Sequence, residues 1–236
     1  MRKLNVARLF AIILFCCGFN VYSGDIAVFN DLGFSEDGKY YIFAQYGVEE
    51  ATLLPWAEMC VVDATLNDFV RGGRLLYRHN REIEAGQDGS GALWNLISQN
   101  TALAARFGVN FLRQGVPLYI SFEEGHKPAG ESIEFRDFES GAMYKAVLVP
   151  TYHGSGEALK SSFIINLEQK PASAASRFWT VGTPDVRRAK ITSYTIKKAL
   201  MSPDRSSLVF VIEMTRQNKP ELAPDIRYMI ETVRVK

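Results

Sequence analysis

Two copies of one short phrase, far apart in the chain, limit the folds open to it. Ser35-Glu36-Asp37-Gly38-Lys39-Tyr40-Tyr41-Ile42-Phe43 returns as Ser202-Pro203-Asp204-Arg205-Ser206-Ser207-Leu208-Val209-Phe210, with serine, aspartate and the closing phenylalanine at the same offsets. Asp-Gly between apolar runs is the strongest two-residue hairpin signal, because glycine takes the positive φ that such turns need. Asp37, Gly38 and Asp204 are therefore read as structural turn residues, and the phrase as strand–turn–strand. Arg205 stands where the first copy has Gly38. Either its turn differs in type, with Pro203 at the first corner of a type I turn, or Arg205 bears left-handed strain. Replacing Arg205 by glycine is then expected to be neutral, or stabilising if the strain is real.

The intervening sequence keeps the same character. Asp25–Asn30 and Leu32–Ser35 read as strands before the first turn, and Tyr40–Tyr46 follows it with apolar residues on both faces, which places it inside a sheet. Trp56–Ala64, Phe69-Val70 and Leu75–Tyr77 extend this to a meander. From Ser90 the period changes: Leu93, Leu96, Ile97, Asn100, Ala104 and Phe107 share one helical face, with Asp88 or Ser90 to cap the start and Gly108 to stop it. Strands resume at Leu118–Phe122, Ser132–Phe138, Met143–Tyr152, Ser162–Leu167, Arg177–Val181, Ile191–Leu200, Leu208–Met214 and Ile226–Val235, divided by Gly- and Ser-rich turns. Evenly spaced short strands predict a mainly β, antiparallel fold with one inserted helix. Aromatics at 12% agree with a pleated, half-buried surface.

The first residues follow another logic. Arg2, Lys3 and Arg8 flank the apolar run Leu9–Phe19, and Val21 and Ser23 give the small-residue pattern of cleavage before Gly24. The run is shorter than the ~20 residues of a membrane-spanning helix. Residues 1–23 are read as a secretory signal, leaving no transmembrane segment in the mature chain. Lipid attachment at Cys16-Cys17 ranks second, since Phe15 and Cys16 are poor matches to a lipobox. Removing residues 1–23 takes three basic side chains and no acid, so net charge falls from +1 to −2. Such a chain lacks the basic footprint of a nucleic-acid binder. It also keeps a single cysteine, Cys60, in an apolar strand where a buried thiol is expected.

The stretch Phe34-Ser35-Glu36-Asp37-Gly38-Lys39-Tyr40-Tyr41-Ile42-Phe43, followed by Met59-Cys60-Val61-Val62-Asp63, resembles a blade of the TolB-type β-propeller repeat. More of the chain resembles a family of uncharacterised bacterial predicted secreted proteins. The likeness rests on the block from Gly33-Phe34-Ser35 to Gly47 and on Ser202-Pro203-Asp204 followed by Pro224-Asp225-Ile226-Arg227-Tyr228. That family implies export and no particular activity. The expected architecture is one mostly β domain over 24–236, made of antiparallel blade-like sheets that are propeller-like or a sandwich. Residues 24–78 form a first blade-like unit, 90–108 the helix, 116–168 the middle strands and 177–236 a C-terminal blade-like unit.

Motifs that would carry chemistry are weak. His79 with Glu82 and Glu84, and His126 with Glu123 and Glu124, lack the spacing of a metal site. Gly86–Gly91 follows the polar His79-Asn80-Arg81-Glu82 rather than the buried strand of a phosphate loop, and capping explains it better. In His153-Gly154-Ser155-Gly156 the glycines flank the serine directly, which is hairpin chemistry rather than a nucleophile elbow. Asp31, Glu36 and Asp37 are a thin calcium set, and Asp37 suits its turn better. No cofactor, metal or catalytic residue is assigned. The leading expectation is an exported, non-catalytic binding or scaffold protein of the envelope or periplasm, whose partner is a protein or envelope ligand. The rival is a periplasmic hydrolase or carbohydrate-active enzyme using Glu123, Glu124 and Glu131, which requires two carboxylates converging in a cleft.

Overall fold

The computed structural model describes residues 24–84, 86–122, 131–219 and 223–236. Among the described residues the fold is mainly β, with antiparallel sheets, two short α-helices and no closed barrel. Four strands open it as a meander: β1 (Val28–Ser35), β2 (Tyr40–Glu49), β3 (Leu54–Asp63) and β4 (Asp68–Arg78). The two strands read from Asp25 to Ser35 are one strand with a bulge at Asp31–Gly33, where Gly33 has φ +109°. The single helix expected over 90–108 is broken into α1 (Ser90–Gln99) and α2 (Thr101–Arg106). The break falls at Asn100, whose side-chain amide donates to Leu96 O and competes with the helical backbone. Gly89 is the N-cap rather than Asp88 or Ser90, and the close approach of Gly47 O, 2.4 Å from where a Cβ would stand, requires glycine there. β5 (Val109–Asn110) then pairs with β1, giving the first sheet the order β4-β3-β2-β1-β5.

The chain next lays down β6 (Val116–Ile120), then β7 (Ser132–Arg136), β8 (Met143–His153), β9 (Lys160–Lys170), β10 (Arg177–Val181) and the two-residue β11 (Arg188–Ala189). It closes with β12 (Ile191–Met201), β13 (Ser207–Arg216) and β14 (Asp225–Arg234). The second sheet has the order β10-β9-β8-β7, with β11 also on β9; the third has the order β14-β13-β12-β6. Three strands therefore change unit relative to the sequence reading, β11 among them through its pairing with β9. β10 belongs with the middle strands, because the short Pro171–Ser176 link folds it back on β9 as a hairpin. β6 leaves the middle group and pairs with β12, a partner too distant in sequence for any local pattern to reveal.

The third sheet lies between the other two. Along β13, Leu208, Phe210 and Ile212 pack with Phe135, Tyr144, Leu148, Phe163 and Ile165 of the second sheet. Val209 and Val211 pack on the other side with Phe34, Tyr41, Phe43, Cys60 and Val62 of the first. The unbroken apolar run Leu208–Ile212 of β13 is what a sheet covered on both faces requires. Truncating the fully buried Phe210 to alanine would cost about 3–5 kcal/mol. The far face of the first sheet, with Ile42, Ala44, Ala57, Met59 and Val61, is covered by Ala92, Leu93 and Leu96 of α1.

The outer edge of β14 is satisfied by borrowed groups, as buried backbone polar groups must be. Ile226 exchanges backbone hydrogen bonds with Asp25 and Ala27. The Gln45 amide both accepts from Tyr228 N, at 2.8 Å, and donates to Tyr228 O, at 3.2 Å. Asn67 Oδ1 accepts from Thr232 N at 2.6 Å, and its amide nitrogen donates to Glu231. Side-chain amides of the first sheet thus stand in for a neighbouring strand.

Candidate functional site

Over their paired central residues β8, β9 and β10 alternate. Tyr144, Ala146, Leu148, Ile165 and Leu167 turn into the core, while Lys145, Val147, Asn166, Glu168, Phe178 and Thr180 turn out. Register sets the outward side chains in two rows, Val147–Asn166–Thr180 and Lys145–Glu168–Phe178. They line a hollow of about 410 Å³ on the outer face of the second sheet, within the size range of small-ligand sites. Phe178 is 71% exposed. Thr180 Oγ1 donates to Asn166 Oδ1 at 3.4 Å, Ser176 Oγ to Glu168 Oε1 at 3.1 Å, and Lys145 Nζ lies 3.4 Å from Glu134 Oε1. Asn166 Nδ2 and Glu168 Oε2 have no partner among the described residues. The floor is rigid sheet, the walls combine an aromatic ring with amide, carboxylate, ammonium and hydroxyl groups, and the lining holds no nucleophile–base pair.

A second hollow, of about 620 Å³, lies between the 79–91 loop and the start of α1 and includes His79, Arg81, Glu82 and Asp88. Some of its polar groups are spent on local turns: Arg81 N donates to His79 Nδ1, and Ser90 N and Oγ both donate to Asp88 Oδ1. The Ser90 hydroxyl and amide hold Asp88 below the usual carboxylate range.

The turn residues meet at one end of the sheet stack. Ser35 Oγ and Lys39 N donate to Asp37 Oδ1, Tyr40 N donates to Ser35 Oγ, and Gly38 N closes the turn on Ser35 O, with Gly38 at φ +67°. The second turn repeats each contact: Ser202 Oγ and Ser206 N donate to Asp204 Oδ1, Ser207 N donates to Ser202 Oγ, and Arg205 N closes on Ser202 O. Of the two alternatives for Arg205, left-handed strain is the one adopted, at φ +60°. Gly38 rests against the Asp204 carboxylate, and the Arg205 guanidinium donates to Asp137 and Glu139 on the β7–β8 turn. Three turns, one from each sheet, are thereby joined.

The remaining sequence candidates scatter. Glu123, Glu124 and His126 lie outside the described residues, as do residues 1–23. Glu131 is buried, and its carboxylate accepts Ile196 N at 3.0 Å on β12, beyond the reach of β6. Asp31 accepts from Gly33 N in the β1 bulge, and burial raises its pKa. Glu36 is exposed, and among the described residues no three His, Cys, Asp or Glu side chains gather as a metal set. Ser155 sits in the β8–β9 connection between Gly154 and Gly156, both at positive φ. Cys60 is 2% exposed, and burial pushes its thiol up to about 12.

Sequence reasoning passed over the outward residues of β8–β10, since alternating polar positions mark any solvent-facing strand. The usable signal was Phe178 at an outward position. It also passed over Asp25, whose buried carboxylate accepts from Trp56 Nε1 at 2.9 Å and from Arg227, with the guanidinium 4.4 Å from the Trp56 ring. Desolvation nevertheless raises the Asp25 pKa.

Residues 42–234, most of the chain from β2 to the end of β14, match the family model described as "Predicted secreted protein (DUF2259)". The chain belongs to this family. The match takes in the outer face of the second sheet, the turns at Asp137 and Asp204 and the Gln45 and Asn67 amides, so these are features of a DUF2259 protein; the Asp37-Gly38 turn lies just before it. The family description makes the chain an exported protein of unknown function. Neither the curated proteins nor the solved structures give a match. Among the described residues no helix of this DUF2259 protein is long and apolar enough to cross a membrane.

Proposed function

We propose that this protein is a non-catalytic binding or scaffold protein of the envelope or periplasm, acting as one mostly β domain with three blade-like sheets. Its ligand-contacting surface is the outer face of the second sheet. One observation carries this reading: a ligand-sized hollow on rigid strands, walled by the exposed Phe178 and by hydrogen-bonding groups with unused capacity. The hydrolase reading draws less support. Glu131, the described member of its acid set, is committed to a backbone N–H of the third sheet.

A photo-crosslinking amino acid placed at position 178, in the protein exported by its own cells, is expected to give discrete adducts. The same reagent at Leu66, an exposed apolar residue on the β3–β4 turn, is expected to give none. Adducts from Leu66 but not from position 178 would move the binding surface elsewhere.

A further inference from the structure

The chemistry of the hollow is specific enough to name a class of ligand. β8 and β9 lie inside the sheet, each hydrogen-bonded to a neighbour on both sides. Their backbone N–H and C=O groups are spent, so an extended peptide lying across β8 and β9 cannot be read by strand addition, the mode that gives such peptides their main-chain hydrogen bonds and that is open only beyond the outer edge of β10. Only side chains are offered. With strands about 4.8 Å apart and outward residues about 6.6 Å apart along each strand, the two rows occupy roughly 10 by 7 Å.

That small area alternates donors with acceptors. Asn166 Nδ2 and Lys145 Nζ donate, Glu168 Oε2 accepts, and Thr180 Oγ1 does both. Lys145 stands opposite Glu168 on one side and Glu134 on the other, so the patch presents neither a positive nor a strongly negative field. A polyanion or a polycation finds no complementary charge. Beside the polar groups, the Phe178 ring, cross-strand from Glu168, offers a flat apolar surface. A ligand matching this set must carry groups that donate and accept at once, closely spaced, with an apolar C–H face and no net charge.

We infer that the outer face of the second sheet binds a neutral saccharide chain, stacked on Phe178 and held by Asn166, Glu168, Thr180 and Lys145. The inference rests on the reading of that face as the binding surface. Each sugar hydroxyl pairs with one donor and one acceptor of the grid, and the ring's C–H face covers the phenyl group.

The test is isothermal titration of the full mature chain with chitotetraose, cellotetraose and maltotetraose. At least one probe is expected to saturate, and Phe178→Ala and Asn166→Ala are each expected to weaken it by about tenfold or more. Both side chains are exposed, so these variants fold. Trp94→Ala, an exposed aromatic on α1, is expected to leave binding unchanged. If none of the three probes binds, or if binding is indifferent to Phe178→Ala, the inference is overturned. Protein adducts from a crosslinker at position 178 without saccharide binding would overturn it too, while leaving the face itself as the binding surface.

Discussion

The turn at Asp37-Gly38 and the turn at Asp204-Arg205 have the same hydrogen bonds and nearly the same backbone, at φ +67° and +60°, yet opposite solutions to one problem. At the first, a Cβ on residue 38 would lie 2.2 Å from Asp204 Oδ1, so space as well as backbone conformation demands glycine. At the second, a side chain is tolerated because it is used. Arg205 reaches Asp137, whose side chain is 3% exposed, and ties the third sheet to the second. Left-handed strain is offset by an ion pair that only a long cationic side chain supplies. The lesson is that a repeat conserves geometry, while each position within it answers to its own tertiary neighbours.

The largest effect is expected at the first turn. Gly38→Val meets both left-handed strain, about 1–3 kcal/mol, and the clash with Asp204, about 1–3 kcal/mol as overpacking. Urea melts should show their sum, and a variant that melts like the parent would break the account of the joined turns.

Arg205→Gly comes next and reverses the expectation drawn from the sequence. It relieves about 1 kcal/mol of backbone strain but strands Asp137, and breaking a buried pair costs about 3–5 kcal/mol. A net loss of about 2–4 kcal/mol is expected. Adding Asp137→Asn to Arg205→Gly should recover part of it, and additive losses in that double-mutant cycle would deny the coupling.

The two aspartates should differ by less. Asp37→Ala removes hydrogen bonds in an exposed turn, about 1 kcal/mol. Asp204→Ala should cost more, because the Asp204 carboxylate also packs on Gly38. Equal losses in chemical denaturation would show that the contact between the turns adds nothing.

The smallest effect lies in the pH dependence. Burial works against the Asp137 charge, but the Ser140 hydroxyl and the Arg205 guanidinium outweigh it and hold its pKa below the ordinary carboxylate value. Its contribution is therefore complete above that value and is lost as pH falls through the lowered pKa. Glu231, raised by desolvation, has the opposite sign: its contribution is complete below its ordinary value and is lost as pH rises through the raised one. Stability measured from pH 2 to 7 should show a shallower acid-side fall in Asp137→Asn, and a shallower decline above the ordinary carboxylate range in Glu231→Gln. A Glu231→Gln profile parallel to the parent would show that this carboxylate is not strained by burial.

The class of fold was legible from local chemistry. The Asp37-Gly38 turn, the two-sided apolar pattern of Tyr40–Tyr46 and the alternation of Met143–Tyr152 each report the environment of one segment, and hairpin partners follow from short connections. The candidate site was legible only as a row of polar alternations with Phe178 among them. Its two rows exist because β8, β9 and β10 pair in one register, which no single strand encodes.

What the sequence by itself determined is the vocabulary: antiparallel strands, glycine at a left-handed corner, a helix inserted between runs of strands, an apolar run within Leu208–Met214. Tertiary structure alone decided that β6 joins β12, that Gln45 and Asn67 complete the edge of β14, that Asn100 divides the helix and that Arg205 holds Asp137. The reason is physical. Periodicity and turn preference act over a few bonds along the chain, whereas backbone satisfaction and charge pairing are settled by whichever group folding brings near, however far away it lies in sequence.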